Sequence, residues 1–182
     1  GDFSFSLSLA RLGCEVVATS YESKETLQDV YRSILVDGTL AELEERSATL
    51  VFSVDATKLQ STLPSVLANR KFDRIVWNFP CSAIARGQDG QNQEMEANKE
   101  LIRSFVQSAE PLLAPQGQIQ MNHKTKPPFN QWKIEEVVLS ASKSMRYLGR
   151  IVLDRHLFPP YVPRKALDRK SFPCHDACTY VF

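Results

Sequence analysis

Cysteine is scarce. Cys14, Cys81, Cys174 and Cys178 are the only thiols in 182 residues, and their placement does not suit a disulfide framework in a domain of this size. Reduced thiols of an intracellular protein are expected instead. No apolar run approaches the roughly 20 residues that a membrane helix needs, which argues against a spanning role. A basic stretch leading into an apolar one, the mark of a secretory signal, is also missing. Histidine is rarer still, at three residues. Cys174-His175-x-x-Cys178 falls short of the four ligands of a closed zinc site, and the remaining cysteines are distant in sequence, so no metal is expected. His123 and His156 stand alone and read as structural or exposed.

What is present suits one ordinary globular domain over residues 1–182, since 43% hydrophobic composition supplies a substantial core. The net charge of +1 hides an asymmetry. Residues 1–122 hold 11 basic and 16 acidic residues, a net of −5, whereas residues 123–182 hold 11 and 5, a net of +6. A basic final third can guide a polyanion such as nucleic acid, or it can be plain solvated surface.

Short β-type runs alternate with longer helical ones, the pattern of an α/β domain with a mostly parallel sheet. Strands are expected at Cys14–Ser20, Thr49–Val54, Phe72–Asn78, Gln118–His123, Tyr147–Leu153 and Cys178–Phe182. Phe72–Asn78 is apolar enough to suit burial on both faces. Helices are expected over 23–46, broken at Asp37-Gly38, over 58–69 with Pro64 either near its first turn or distorting it, over 94–113 and over 130–143. The opening run is ambiguous: Phe5, Leu9 and Leu12 fit helical spacing, while Phe3, Phe5, Leu7 and Leu9 alternate. Ser82–Gln93 is polar and glycine-containing, hence a loop. A chain in this order begins with a helix, so a first central strand is expected upstream of Gly1.

Several segments carry a resemblance. The chain opens Gly1-Asp2-Phe3-Ser4-Phe5; ATSYES occupies residues 18–23, and Val54-Asp55-Ala56-Thr57 closes a strand. Asn78-Phe79-Pro80-Cys81 follows another strand. Asn98, Leu101 and Phe105 form an N-x-x-L-x-x-x-F element, and Lys124 precedes Pro128-Phe129-Asn130-Gln131-Trp132. In this order they resemble the eukaryotic 25S ribosomal-RNA uridine-N3 methyltransferase-like family, S-adenosylmethionine (SAM)-dependent proteins of Rossmann-like fold. The family signature GEGDFSF is matched from its second glycine, ATSYDS as ATSYES, and NFPH as NFPC. A Y-x-H-R-R-T run is met by Tyr161-Val162-Pro163-Arg164-Lys165-Ala166, so Cys81 and Pro163 stand where that family has histidine.

The resemblance implies a Rossmann-like, doubly wound sheet with an antiparallel C-terminal strand, and a role for each loop. Gly1, Asp2, Phe3 and Ser4 would meet the methionine end of SAM, with Asp2 accepting from its ammonium; otherwise Asp2 or Ser4 is a helix cap. Ser20, Tyr21 and Glu22 would hold the ribose through the Glu22 carboxylate, with Tyr21 on the adenine; otherwise Glu22 only favours the next helix. Asp55, Ala56 and Thr57 would read the adenine, or form an Asx-type turn. Asn78, Phe79, Pro80 and Cys81 would orient and stack on the acceptor base, or form a proline turn closing a strand. Lys124, Tyr161, Arg164 and Lys165 would contact RNA by phosphate pairing and stacking. The function implied is N3-methylation of a uridine in large-subunit ribosomal RNA by a monomer of the nucleus or nucleolus. The alternative is an inactive member kept as an RNA-binding or ribosome-assembly module.

Overall fold

Helical spacing wins in the opening run. Ser4–Arg11 forms α1 in the computed structural model, which describes residues 1–81 and 93–182. Its buried face is nonetheless carried by Phe3, Leu7 and Ala10, while Leu12 is exposed. Gly13 ends the helix with a positive φ of 84°. The backbone groups into two compact units, residues 1–55 with 154–175, and residues 56–153 with 176–182.

In the first unit, β1 (Val17–Thr19) and β2 (Thr49–Val51) pair in parallel, Val17 opposite Thr49 and Thr19 opposite Val51. Between them run α2 (Lys24–Tyr31) and α3 (Ser33–Glu45). Ser23 caps α2 by accepting from the Thr26 N–H at 3.2 Å. The break between the helices falls at Arg32, whose φ is 73°, and not at Asp37-Gly38. Those two residues lie inside α3, because Val36, Leu40 and Leu43 bury one continuous face through them. That burial outweighs the roughly 1 kcal/mol by which glycine disfavours a helix interior. Leu7, Leu27, Tyr31 and these α3 residues form the core of the unit. The returning segment, residues 154–175, packs Tyr161 and Phe158 onto Phe5 with ring centroids 5.0 and 5.3 Å apart.

The second unit holds a four-stranded sheet in the order β3-β4-β6-β5: β3 is Phe72–Asn78, β4 Leu113–Lys124, β5 Gly149–Val152 and β6 Ala177–Val181. β3 and β4 are parallel, and β6 runs antiparallel to both β4 and β5. The last strand is therefore the reversed one in an otherwise parallel α/β arrangement, as the family resemblance implied. β3 is half-buried, with Asp73 and Arg74 exposed. The expected burial on both faces is not met, because β3 stands at the sheet edge.

Residues 58–69 form two short helices, α4 (Leu59–Thr62) and α5 (Ser65–Ala68), in place of the one expected. Proline disfavours the helical conformation of the residue before it, and Leu63 accordingly adopts ψ 148°. α6 (Gln93–Ala109) buries Ile102, Phe105 and Val106 and packs on α7 (Ile134–Ala141). The helix expected from Asn130 starts only at Ile134; a 3-10 turn, Phe129–Trp132, precedes it. The loop expected at Ser82–Gln93 lies outside the described residues, apart from Gln93 at the start of α6.

β4 is longer than expected because it continues back through Pro115 and Gly117, where the register with β3 shifts between Phe72 and Arg74. Gly117 makes that irregularity fit: a Cβ there would stand 2.9 Å from both the Ala114 and the Phe72 carbonyl oxygens. Gly117→Ala is expected to cost about 1–3 kcal/mol by forcing backbone apart. Gly38→Ala, inside α3 with nothing within 4 Å, should gain up to about 1 kcal/mol. Denaturant unfolding of both variants checks the pair, and equal stabilities would refute the assignment.

Candidate functional site

Parallel strands deliver the loops that follow them to the same edge. In the first unit the Ser20 N–H donates to the Val51 carbonyl at 3.0 Å, and the Val54 N–H returns to the Ser20 carbonyl at 2.8 Å. The Ser20 hydroxyl accepts from the Glu22 N–H at 3.1 Å, which shapes the Ser20–Glu22 turn. Phe3 is buried and meets Phe52 edge-to-face with centroids 5.6 Å apart. The loops at 1–4, 20–22 and 52–55 are thus drawn together. Among the described residues the Glu22 carboxylate makes no hydrogen bond or ion pair, and its charge, with that of Asp2, acts on the Gly1 amino group. Tyr21 is exposed and Asp55 half-buried.

Asp2 is heavily engaged. Its Oδ1 accepts from the Ser4 N–H at 3.2 Å and from the Ser4 hydroxyl at 2.6 Å, and its Oδ2 accepts from Arg164 Nε at 2.5 Å. Asp2 thus forms an Asx-type turn onto the first N–H of α1, whose N-cap is Phe3 without a side-chain cap bond. These bonds do not exhaust the carboxylate, whose two oxygens offer about four acceptor positions. Tyr31 lies in the same neighbourhood. Burial raises its hydroxyl pKa, the Leu167 backbone opposes that, and the charges of Asp2, Arg164 and Glu22 all act on it.

In the second unit β3 ends at Asn78, opposite Asn122 of β4, which in turn lies opposite Thr179 of β6. The three side chains form a ladder across the sheet: Asn122 Nδ2 donates to Asn78 Oδ1 at 2.5 Å, and the Thr179 hydroxyl donates to Asn122 Oδ1 at 2.5 Å. The Asn122 carbonyl also accepts from the Phe79 N–H at 2.8 Å. Phe79 is held at φ 50°, an uncommon conformation for a bulky side chain, and Pro80 is fully buried. Cys81 is exposed as a residue, but packing around its sulfur, and then the Glu94 charge, raise the thiol pKa. It is therefore a neutral thiol near pH 7 and a poor replacement for a basic imidazole. Ala56 and Thr57 begin a 3-10 turn in this unit that packs on α6.

Of the four residues expected to contact RNA, Lys165 is exposed. Lys124 lies over the Phe129 ring, its Nζ 4.9 Å from the centroid. Tyr161 is buried against Phe5 and Arg164 is paired with Asp2, so both are engaged within their own unit. A shallow cleft of about 210 Å³ is lined by Phe129 and Asn130 of the Pro128–Trp132 element with Lys133 and Tyr180, and by none of the residues of the loops at 1–4, 20–22, 55–57 or 78–81. Sequence reasoning missed Asn122, Thr179 and Tyr31. Only the strand register could have revealed Asn122, and spacing along the chain does not state register.

Acidic loops after parallel strands, an Asn-Phe-Pro turn after a third and a reversed last strand form the arrangement expected of the methyltransferase class of α/β proteins. The profile of the family described as rRNA (uridine-N3-)-methyltransferase BTM5-like matches residues 1–165, and the chain belongs to that family. It is 30% identical over 173 residues to the heavy metal-associated isoprenylated plant protein 41 of Arabidopsis thaliana, covering 93% of this chain and 32% of that protein. An uncharacterized protein of the same plant is 28% identical over 190 residues, covering 100% and 88%. The ferredoxin-fold anticodon-binding domain-containing protein 1 homolog of Mus musculus is 32% identical over 122 residues, covering 65% and 18%. The chain thus spans less than a third of the length of the first and last of these relatives. Among solved structures, the N-methyltransferase NodS of Bradyrhizobium japonicum is 14% identical, covering 98% of this chain and 92% of that one at a TM-score of 0.41.

His123 sits beside the candidate loops on β4, buried against Trp132 with ring centroids 4.8 Å apart, its Nδ1 2.9 Å from the Lys124 carbonyl. Burial lowers its pKa from 6.5 to about 4, opposed by the carbonyl hydrogen bond. The unfolded chain binds the proton first as pH falls, so stability is flat above about pH 6.5 and declines towards pH 4, by roughly 3 kcal/mol in all. His123→Phe should flatten that decline in a pH series of denaturant melts, and an unchanged slope would refute the assignment.

Proposed function

We propose that the chain carries the cofactor and acceptor loops of a SAM-dependent methyltransferase that modifies N3 of a uridine in large-subunit ribosomal RNA. The observation that carries this is the gathering of the 1–4, 20–22 and 52–55 loops, with an uncommitted Glu22 carboxylate beside an anchored Asp2. That donor set suits SAM: Glu22 is placed to accept from ribose hydroxyls, Asp2 has acceptor capacity left for an ammonium, and Asp55 follows β2 where an adenine edge is read. When bound, SAM supplies an electrophilic methyl group. The chain's own work is to align the acceptor and keep water away. Asn78, fixed by Asn122, would hold a polar edge of the base, and Phe79 would stack on its face. Uridine N3 must lose a proton, and Cys81, a neutral thiol, is not suited to take it at neutral pH. The proton then leaves to another group or to solvent. With ribosomal RNA as substrate, this reading carries the nucleus or nucleolus as the place of work and a monomer as the acting form.

The absence of a basic side chain at Cys81 supports a second reading, in which the family fold persists as a non-catalytic RNA-binding or assembly module. Two measurements separate them. Calorimetry with S-adenosylhomocysteine should show binding by the wild-type chain, and Glu22→Ala should weaken it about tenfold or more. Labelled methyl should enter ribosomal RNA with wild type and fall at least about tenfold with Asn78→Ala. Cofactor binding without transfer selects the non-catalytic module; no binding at all overturns both the cofactor and the methyltransferase assignments.

A further inference from the structure

Arg164 belongs to a basic stretch that reads in sequence as an RNA surface, yet its guanidinium is turned inward. Nε donates to Asp2 Oδ2 at 2.5 Å in an ion pair whose side chains are only 21% and 16% exposed, and Nη1 donates to the Arg169 carbonyl at 2.8 Å. The rest of the segment is tied down in the same way. The Val162 N–H donates to the Ser4 hydroxyl at 3.3 Å, the same hydroxyl that donates to Asp2. The Tyr31 hydroxyl donates to the Lys165 carbonyl at 3.2 Å. Arg169 Nε and Nη2 donate to the Val30 and Asp29 carbonyls in the last turn of α2, at 2.8 and 3.1 Å, groups that a helix end otherwise leaves without partners.

We infer that Arg164 is a positioning residue for the cofactor loop: it fixes the Asp2 carboxylate from a strap, residues 161–170, that serves the cofactor end of the first unit and not RNA. The physical case is geometric. A carboxylate held on one oxygen by Ser4 alone can rotate about its χ2, whereas a second, charge-assisted bond to the other oxygen sets its plane. The remaining acceptor position of Asp2 then points in one direction. Lysine in place of Arg164 would keep the charge but lose both the fixed fork and the bond to the Arg169 carbonyl, so it should restore only part of the effect.

This inference rests on the cofactor assignment above, and its test separates the two. S-adenosylhomocysteine and methylthioadenosine share the nucleoside, but only the first carries the amino-acid tail that Asp2 would meet. Calorimetry on the full chain should show Arg164→Ala weakening S-adenosylhomocysteine about tenfold or more, with methylthioadenosine unchanged and Arg164→Lys intermediate. In parallel, the salt dependence of oligouridylate binding should keep its slope in Arg164→Ala. Equal loss of both nucleosides would mean a merely structural role and would overturn the inference, as would unchanged binding of both. A slope reduced by about 0.7 would mark Arg164 as a phosphate contact and overturn it too. A wild-type chain that binds neither nucleoside overturns the cofactor assignment itself.

Discussion

Parallel register is the constraint on which the candidate site depends. Thr19 opposite Val51 and Asn78 opposite Asn122 fix where each strand ends, and with it where the following loop begins. Slipping either pair by one residue would turn every side chain to the opposite face. It would also separate Asn78 from Asn122 and the Ser20 carbonyl from the Val54 N–H. The hydrogen bonds that gather the loops are continuations of the ladders. Within each unit the position of the loops is therefore a consequence of strand pairing.

Three of the candidate loops, at 1–4, 52–55 and 78–81, each carry a non-glycine residue with positive φ: Phe3 at 61°, Ser53 at 58° and Phe79 at 50°. Such conformations cost on the order of 1 kcal/mol or more and persist only where the surroundings over-determine them. Those surroundings can be named. Phe3 is buried on Phe52, the Ser53 N–H donates to the Glu22 carbonyl at 3.4 Å, and the Phe79 N–H donates to Asn122. The same conformation recurs away from these loops, at Arg32, Ser47, Gln116, Lys133 and Leu167.

Much of this was legible in the sequence because the signals are local. Phe72–Asn78 is a strand over its expected length, since an apolar run bounded by turn-forming residues leaves little choice. The loops at 20–22, 53–55 and 78–81 follow strands as their motifs implied. Local signals misled where two of them competed. Gly38 reads as a break but costs less than the buried face of α3 returns, while of the two readings of Pro64, near a first turn or distorting the helix, the distortion is the one found. What the sequence withheld was pairing at long range. The partner of Asp2 lies 162 residues away, and the Asn78–Asn122 contact requires knowing the β3–β4 register. A run of arginine and lysine looks the same whether it faces solvent phosphate or an internal carboxylate, and only the fold distinguishes Arg164 from Lys165.

The first unit is discontinuous: residues 1–55 are completed by residues 154–175. A chain made from its N-terminus presents α1, β1 and β2 early, but Ser4, Phe5 and Asp2 wait for more than a hundred residues before Val162, Tyr161 and Arg164 reach them. Closing so long a loop is entropically slow relative to local helix formation. Until it closes, Phe5 lacks its aromatic partners and Asp2 holds only its neighbour Ser4. The Asp2 end of the first unit is thus the last part of that unit to mature. A nascent or clipped chain lacking its final quarter would carry the opening motif intact in sequence and unfinished in space.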